Sequence, residues 1–360
     1  MEDPYGVPGA YGDRMRMTRD YLPQGFQLTS SNSGQSYQIL QTLGGGGFGV
    51  TYEAVRLADR ARVAIKEFFP AGITARTSTF SVAVTGDEKI LRKRLDSFFK
   101  EAEVLRTLRA IPSVVNIYDI FYANHTAYYA MEYINGSTMQ HFIQQNGLLA
   151  PAVFGPRYRQ LMRDIELLHS NGVIHRDISP DNIMIRNDGS FKLIDFGSAK
   201  EYDKAQNMTV NIKRGFSPIE QYTPSGQGRY TDVYSLAATM YYSFTGKLIP
   251  DVLSRDTAYS QLQMAAAAAG LGPAQIEALK KALSVKPADR FQTMQEFEQA
   301  FFNAPKNSIV VSGQVRQTEP EKTAQGSRFS TALALIKDEP VFPILAGALY
   351  VVAVFLQIFL

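Results

Sequence analysis

Three side chains with hard oxygen donors are spaced through one part of the chain. In "VIHRDISPDNIMI", residues 173–185, Asp177 is followed by Asn182, and Asp195 comes later in "KLIDFGSAK". One carboxylate can accept a hydroxyl proton, while the amide and the second carboxylate can hold Mg²⁺ against phosphate oxygens. That is equipment for phosphoryl transfer. Two phosphate-seeking features lie upstream. "LGGGGFGVTY", beginning at Leu43, carries Gly44, Gly46 and Gly49 in the spacing G-x-G-x-x-G, and "VAIK" ends in Lys66. Glycines let backbone N–H groups approach anionic oxygens, and a lysine supplies a point charge. Any one of these residues could be a turn, a cap or a solvent-facing charge. All of them, in this order, argue for one triphosphate site with ATP and Mg²⁺ as its occupants.

The elements around them must bring these residues together. A dinucleotide-binding glycine turn leads from a strand into a helix. Here β-type runs stand on both sides, "YQILQTL" before and "GVTYEAVR" and "RVAIKEFF" after, so a hairpin lid is predicted. Val63 and Ile65 alternate with Ala64 and Lys66, which turns the lysine to the opposite face, toward a cleft. In "LDSFFKEAEVLRTL" an apolar stripe of Leu95, Phe98, Phe99, Ala102, Leu105 and Leu108 marks a helix. Glu101 lies in line with that stripe and is the expected carboxylate partner of Lys66; Glu103 points elsewhere. More strands are expected in "NIYDIFYANHTAYYAMEYI". Beyond residue 136 the pattern is helical, in "MQHFIQQN", "FGPRYRQLMRDIELLHSNG", "TDVYSLAATMYYSFTG", "PAQIEALKKALS" and "FQTMQEFEQAFFN". The expectation is an α+β fold of two unlike lobes, β-rich over 36–134 and α-rich over 135–303.

Residues 1–35, rich in Gly, Pro, Ser and Tyr, are expected to be a disordered lead-in. Residues 304–338 turn polar and suggest a juxtamembrane linker. Residues 341–360 then run without a charged side chain. A helix of that length spans roughly 30 Å, the thickness of a bilayer's hydrocarbon core, so a C-terminal transmembrane helix is expected. Arg328 and Lys337 ahead of it fit a cytoplasmic entry side. A net charge of +3 gives no ground for a nucleic-acid partner. Without cysteine, disulfides and thiolate metal sites are excluded, and four histidines argue against a His-built metal cluster. No charged-then-apolar export signal opens the sequence.

With these motifs in hand, residues 37–302 resemble a eukaryotic-type protein kinase of the Ser/Thr kind found in bacteria. "LGGGGFGVTYEA", "VAIKEFFP" and "GFSPIEQY" carry the likeness to one bacterial subgroup. The resemblance implies a bilobal protein-kinase fold acting on protein Ser/Thr hydroxyls. Together with the expected C-terminal helix, and the need for ATP, the expectation is a single-pass membrane protein with its kinase domain in the cytoplasm. The resemblance places the nucleotide under Leu43, Thr51 and Ala64 and over Met184. Met131 would be the gatekeeper, with Glu132 and Ile134 in the hinge. Leu105, His175 and Phe196 would form an internal spine anchored by Asp232, and Glu220 would pair with Arg290. Arg176 beside Asp177 implies control by phosphorylation of residues 195–220, with Thr209 ahead of Ser198 and Tyr202, and a homodimer as one route to autophosphorylation.

The sequence departs from the family at two places whose side chains meet one another in that family. Ser179 stands where the loop has lysine, and Lys213 stands where the family has threonine. The exchange implies that Lys213 delivers the missing charge from the other side. The competing expectation is an ATP-binding pseudokinase scaffold. Lys66, Asp177, Asn182 and Asp195 are all present and favour catalysis, as removing one transition-state donor slows an enzyme by about 10²–10³ rather than silencing it.

Overall fold

The computed structural model describes residues 21–47, 49–196, 200–201, 212–222, 226–249 and 259–303. The chain divides into two units, residues 1–305 and 306–360, and every described residue belongs to the first. The expected linker and transmembrane helix lie outside the described residues. Among those described, no helix is long and apolar enough to cross a membrane.

The front lobe is a sheet carrying one helix. Its strands are β1 (Gln27–Thr29), β2 (Ser36–Gly46), β3 (Gly49–Arg56) and β4 (Arg62–Phe68); a small hairpin, β5 (Thr74–Arg76) and β6 (Val82–Val84), follows. Then come α1 (Glu88–Thr107), β7 (Ile117–Ala123) and β8 (Thr126–Glu132). The main sheet has the order β1-β2-β3-β4-β8-β7. Alternation on β4 works as expected: Val63 and Ile65 bury into a cluster with Ile39, Tyr52 and Tyr128, while Lys66 faces α1. α1 starts earlier than its apolar stripe, because Asp87 caps it by accepting from the N–H groups of Lys89 and Ile90.

The expected disorder of residues 1–35 is corrected for its described part. Leu22 and Leu28 bury in the outer sheet cluster, β1 pairs with β2, and the Leu22 N–H donates to the Tyr52 hydroxyl at 3.2 Å. Polar and glycine-rich composition hid two leucines that have an open sheet face to cover. The β5–β6 hairpin covers the same face. Its Arg76 donates twice to Glu67, both at 2.7 Å, in a pair almost sealed from solvent. Tyr52 and Tyr128 hydroxyls satisfy the same carboxylate at 2.8 and 2.5 Å. A buried charge persists only with such partners.

The back lobe contains β9 (Gly136–Thr138), α2 (Met139–Asn146), α3 (Pro151–Ser170), β10 (Val173–Ile174), β11 (Ile183–Arg186), β12 (Phe191–Leu193) and β13 (Lys200–Glu201). The helices α4 (Arg229–Thr245), α5 (Tyr259–Ala268), α6 (Pro273–Ala282) and α7 (Met294–Phe302) complete it. β11 lies between β9 and β12, so its turn into β12 sets the path from Asn182 to Asp195. α4 is buried along nearly its whole length, which makes it a rigid post for the loop above it. One continuous core runs from Phe98 and Leu105 on α1 through Leu193 and Phe196 to α4. The structure is therefore the bilobal α+β fold expected.

Candidate active site

Lys66 is one of the points where charges of the two lobes meet. Its Nζ donates to Glu101 Oε1 at 2.8 Å and lies 3.5 Å from Asp195 Oδ1. Glu101 is buried in α1, as its place in the stripe demands, whereas Glu103 is exposed beside Arg106. Burial alone would pull the ammonium's pKa down. Glu101, with Tyr129 and Asp195 behind it, carries it well above the ordinary lysine value, so Lys66 stays cationic. Tyr129 was not foreseen: its hydroxyl donates to the same Glu101 oxygen at 3.0 Å. Its signal was its place on β8, two residues before Met131 and so on the same face.

The loop bearing Asp177 is hung from α4. Asp232, fully buried, accepts from the His175 N–H at 2.9 Å and the Arg176 N–H at 2.7 Å. It also bonds His169 Nε2 at 2.8 Å. Burial would raise its carboxyl; the His169 hydrogen bond, with His175 and the Arg176 N–H, holds it below the usual carboxylate range. Those two backbone bonds hold Arg176 at φ +69°, a left-handed conformation costly for a non-glycine residue. Gln221 Nε2 adds a bond to the Arg176 carbonyl at 2.5 Å. Phe196 packs edge-on against His175 at 4.5 Å between centroids, and both are fully buried. His175, Phe196 and the Asp232 anchor are thus joined as the resemblance implied, and Leu105 buries in the same core cluster as Phe196.

Burial pushes the Asp177 carboxyl up, and the charges of Lys213 and His175 pull it back. Asn182 donates its Nδ2 to the Asp177 carbonyl at 2.8 Å, which commits its NH₂ to the loop and leaves its amide oxygen as a donor atom. Asp195, at φ +61°, keeps its side chain more than half exposed. Among the described residues no group of three or more His, Cys, Asp or Glu is gathered for a metal. Two hard oxygens, from Asn182 and Asp195, suit Mg²⁺, which binds few protein ligands and shares the rest with phosphate and water. The donor set fits.

The expected nucleotide-facing residues fall on both lobes. Thr51 pairs across the sheet with Lys66, and Ala64 pairs with Met131. Ala64 and Ile134 are buried, Met131, Thr51 and Met184 are half-buried, and Leu43 is exposed. The Glu132 carboxylate accepts from Lys192 at 2.8 Å and Arg186 at 3.2 Å, which leaves the residue's backbone, not its side chain, to face a base. In the lid, Gly44 pairs with Thr51 and Gly46 with Gly49. A Cβ on Gly44 or Gly46 would meet nothing within 4 Å, so no neighbouring group fills the space beside these two glycines. A Cβ on Gly49 would lie 2.1 Å from the Glu67 carbonyl oxygen. Gly49→Ala is therefore expected to cost about 1–3 kcal/mol in a denaturation experiment. Gly46→Ala should leave stability within about 0.5 kcal/mol and weaken nucleotide binding instead.

Beyond Asp195, Ser198, Tyr202 and Thr209 lie outside the described residues. Where description resumes, Lys213 Nζ reaches Ser179 Oγ at 2.8 Å and Asp181 Oδ2 at 2.6 Å. Glu220 receives a bidentate pair from Arg290 at 2.7 and 2.9 Å, together with the Thr231 hydroxyl at 3.0 Å. Arg176 is buried, and its Nε and Nη2 have no hydrogen-bond partner among the described residues. Asp181 was missed at the sequence level, where it reads as an ordinary turn carboxylate.

A family model described as "Protein kinase domain" matches residues 37–302. Serine/threonine-protein kinase PknA of Nostoc sp. is 29% identical over 277 residues, covering 73% of this chain and 46% of that protein. Serine/threonine-protein kinase D of Synechocystis sp. is 30% identical over 290 residues, covering 77% and 53%. The chain thus spans about half the length of the curated relatives it matches. A solved structure, "PpkA-294 apo form", superposes with a TM-score of 0.66 at 29% identity, covering 78% of this chain and 99% of that one. The match takes in both lobes and every residue that joins them: the chain belongs to the protein kinase family, in its bacterial, eukaryotic-type serine/threonine branch.

Proposed function

We infer that the chain transfers the γ-phosphoryl group of ATP to serine and threonine hydroxyls of proteins, tethered to a membrane by residues 341–360. The observation that carries the catalytic reading is Lys66 held between Glu101 and Asp195, which sets the phosphate-binding charge of one lobe against the metal-binding carboxylate of the other. The glycine turn between β2 and β3 would cover the phosphates, and Lys66 would hold the α- and β-phosphates. Asp177 orients the incoming hydroxyl and takes its proton. Asn182 and Asp195 would hold Mg²⁺, which neutralises charge on the β- and γ-phosphates. The Glu220–Arg290 pair fixes the end of the segment on which a protein substrate lies.

Ser179 in place of a lysine is the one feature that favours the pseudokinase scaffold instead. Labelled ATP separates the two readings. The kinase reading expects phosphoserine or phosphothreonine on the chain itself or on an added protein, lost in Asp177→Ala. A scaffold binds Mg·ATP and labels nothing. Faster-than-linear growth of the label with enzyme concentration would assign self-modification to a second copy of the chain. For the membrane, flotation with vesicles should follow the full chain and be lost on deleting residues 341–360; flotation that survives the deletion overturns the tether. The 20 uncharged residues support that reading, and a cytoplasmic kinase domain follows from its need for ATP.

A further inference from the structure

Phosphoryl transfer concentrates negative charge on three equatorial oxygens, and a site built for it needs cations on more than one side. Lys66 serves the side of the α- and β-phosphates, fixed there by Glu101 and Asp195. On the side of Asp177 the loop offers Ser179, which is fully buried and uncharged. An ammonium is nevertheless present. Lys213 enters from the segment before Phe216, donates to Ser179 Oγ at 2.8 Å and pairs with Asp181 Oδ2 at 2.6 Å. Its charge is felt at Asp177, where it opposes the effect of burial.

We propose that Lys213 is a catalytic residue whose ammonium stabilises the phosphoryl group in flight, and that Ser179 and Asp181 are the positioning residues that hold it over the loop. This rests on the phosphotransfer reading above. In the step, the substrate oxygen bonds to the γ-phosphorus while the bond from phosphorus to the β,γ-bridging oxygen breaks, its electron pair leaving with ADP. The hydroxyl proton passes to Asp177, and Lys213 keeps all of its own protons. The two tethers differ in kind. Ser179 is sealed in the core and gives a fixed acceptor; Asp181, 53% exposed, gives an ion pair that water weakens. Lys213, 32% exposed, can therefore leave the carboxylate for a more highly charged phosphate without losing its seat. A consequence is that the segment carries part of the catalytic machinery itself. A kinase of this design has its full set of charges only when that segment lies on the loop.

The test uses the full chain, with kcat and KM from steady-state phosphorylation and Kd for Mg·ATP from titration. Lys213→Ala should lower kcat by about 10²–10³ with Kd changed less than about threefold. Lys213→Arg should recover part of the loss. Asp181→Asn should lower kcat more mildly, and the double variant Asp181→Asn/Lys213→Ala should fall no further than Lys213→Ala alone. Ser179→Lys/Lys213→Thr should regain rate over Lys213→Ala; with a melting curve as the control for folding, a folded exchange variant no faster than Lys213→Ala counts against the proposal. Additive losses in Asp181→Asn/Lys213→Ala, or a silent Lys213→Ala in an active kinase, overturn the proposal. A wild-type chain that transfers no phosphate overturns the underlying reading as well.

Discussion

Asp177→Asn lowers kcat by about 10²–10⁴-fold and leaves the fold and the Kd for Mg·ATP almost unchanged. The fold survives because the loop is tied through Asp177's backbone. Its N–H donates to His175 Nδ1 at 3.3 Å, and its carbonyl accepts from Asn182. The carboxylate is left for chemistry, and an isosteric amide cannot take a proton from an incoming hydroxyl. Steady-state phosphorylation beside a nucleotide titration separates the two effects. A comparable loss of affinity would mean that Asp177 supports the pocket rather than the reaction.

Arg290→Ala should cost about 3–5 kcal/mol of stability, the second large effect. Arg290 is almost fully buried. Beyond its two bonds to Glu220 it donates to the carbonyls of Ser284, Val285 and Tyr230, and its guanidinium lies 4.8 Å from the Tyr234 ring centroid. Truncation removes the counter-charge of a buried carboxylate and unties three carbonyls at once. For a domain of this size each kcal/mol shifts Tm by roughly 2–4 °C. Arg290→Lys should recover little, because an ammonium cannot reproduce the planar fork. Thermal and urea melts of the two variants check this, and a loss under about 1 kcal/mol would show that the pair is not what fixes the segment.

How much of this was legible depended on whether a residue's neighbours are near in sequence. β3 spans the run "GVTYEAVR", β4 all but the last residue of "RVAIKEFF", and α2 the run "MQHFIQQN". Glu101 could be chosen over Glu103 because helical periodicity alone settles which faces inward. What stayed hidden was decided by tertiary contact. Leu22 and Leu28 sit in polar surroundings and gain a role only from the sheet face they cover. The β5–β6 hairpin is built around Arg76, whose burial makes sense only beside Glu67 and two tyrosine hydroxyls. Asp181 is a third case. Its partner is 32 positions away, and nothing local marks it as more than a turn residue.

Calorimetric titration of the purified chain with ATP, with and without Mg²⁺, tests the pocket on which all of this stands. The account predicts saturable one-to-one binding that weakens when Mg²⁺ is chelated, and weakens further in Lys66→Met and Asp195→Asn. No heat of binding at millimolar nucleotide, or binding indifferent to both the metal and those two side chains, would contradict it.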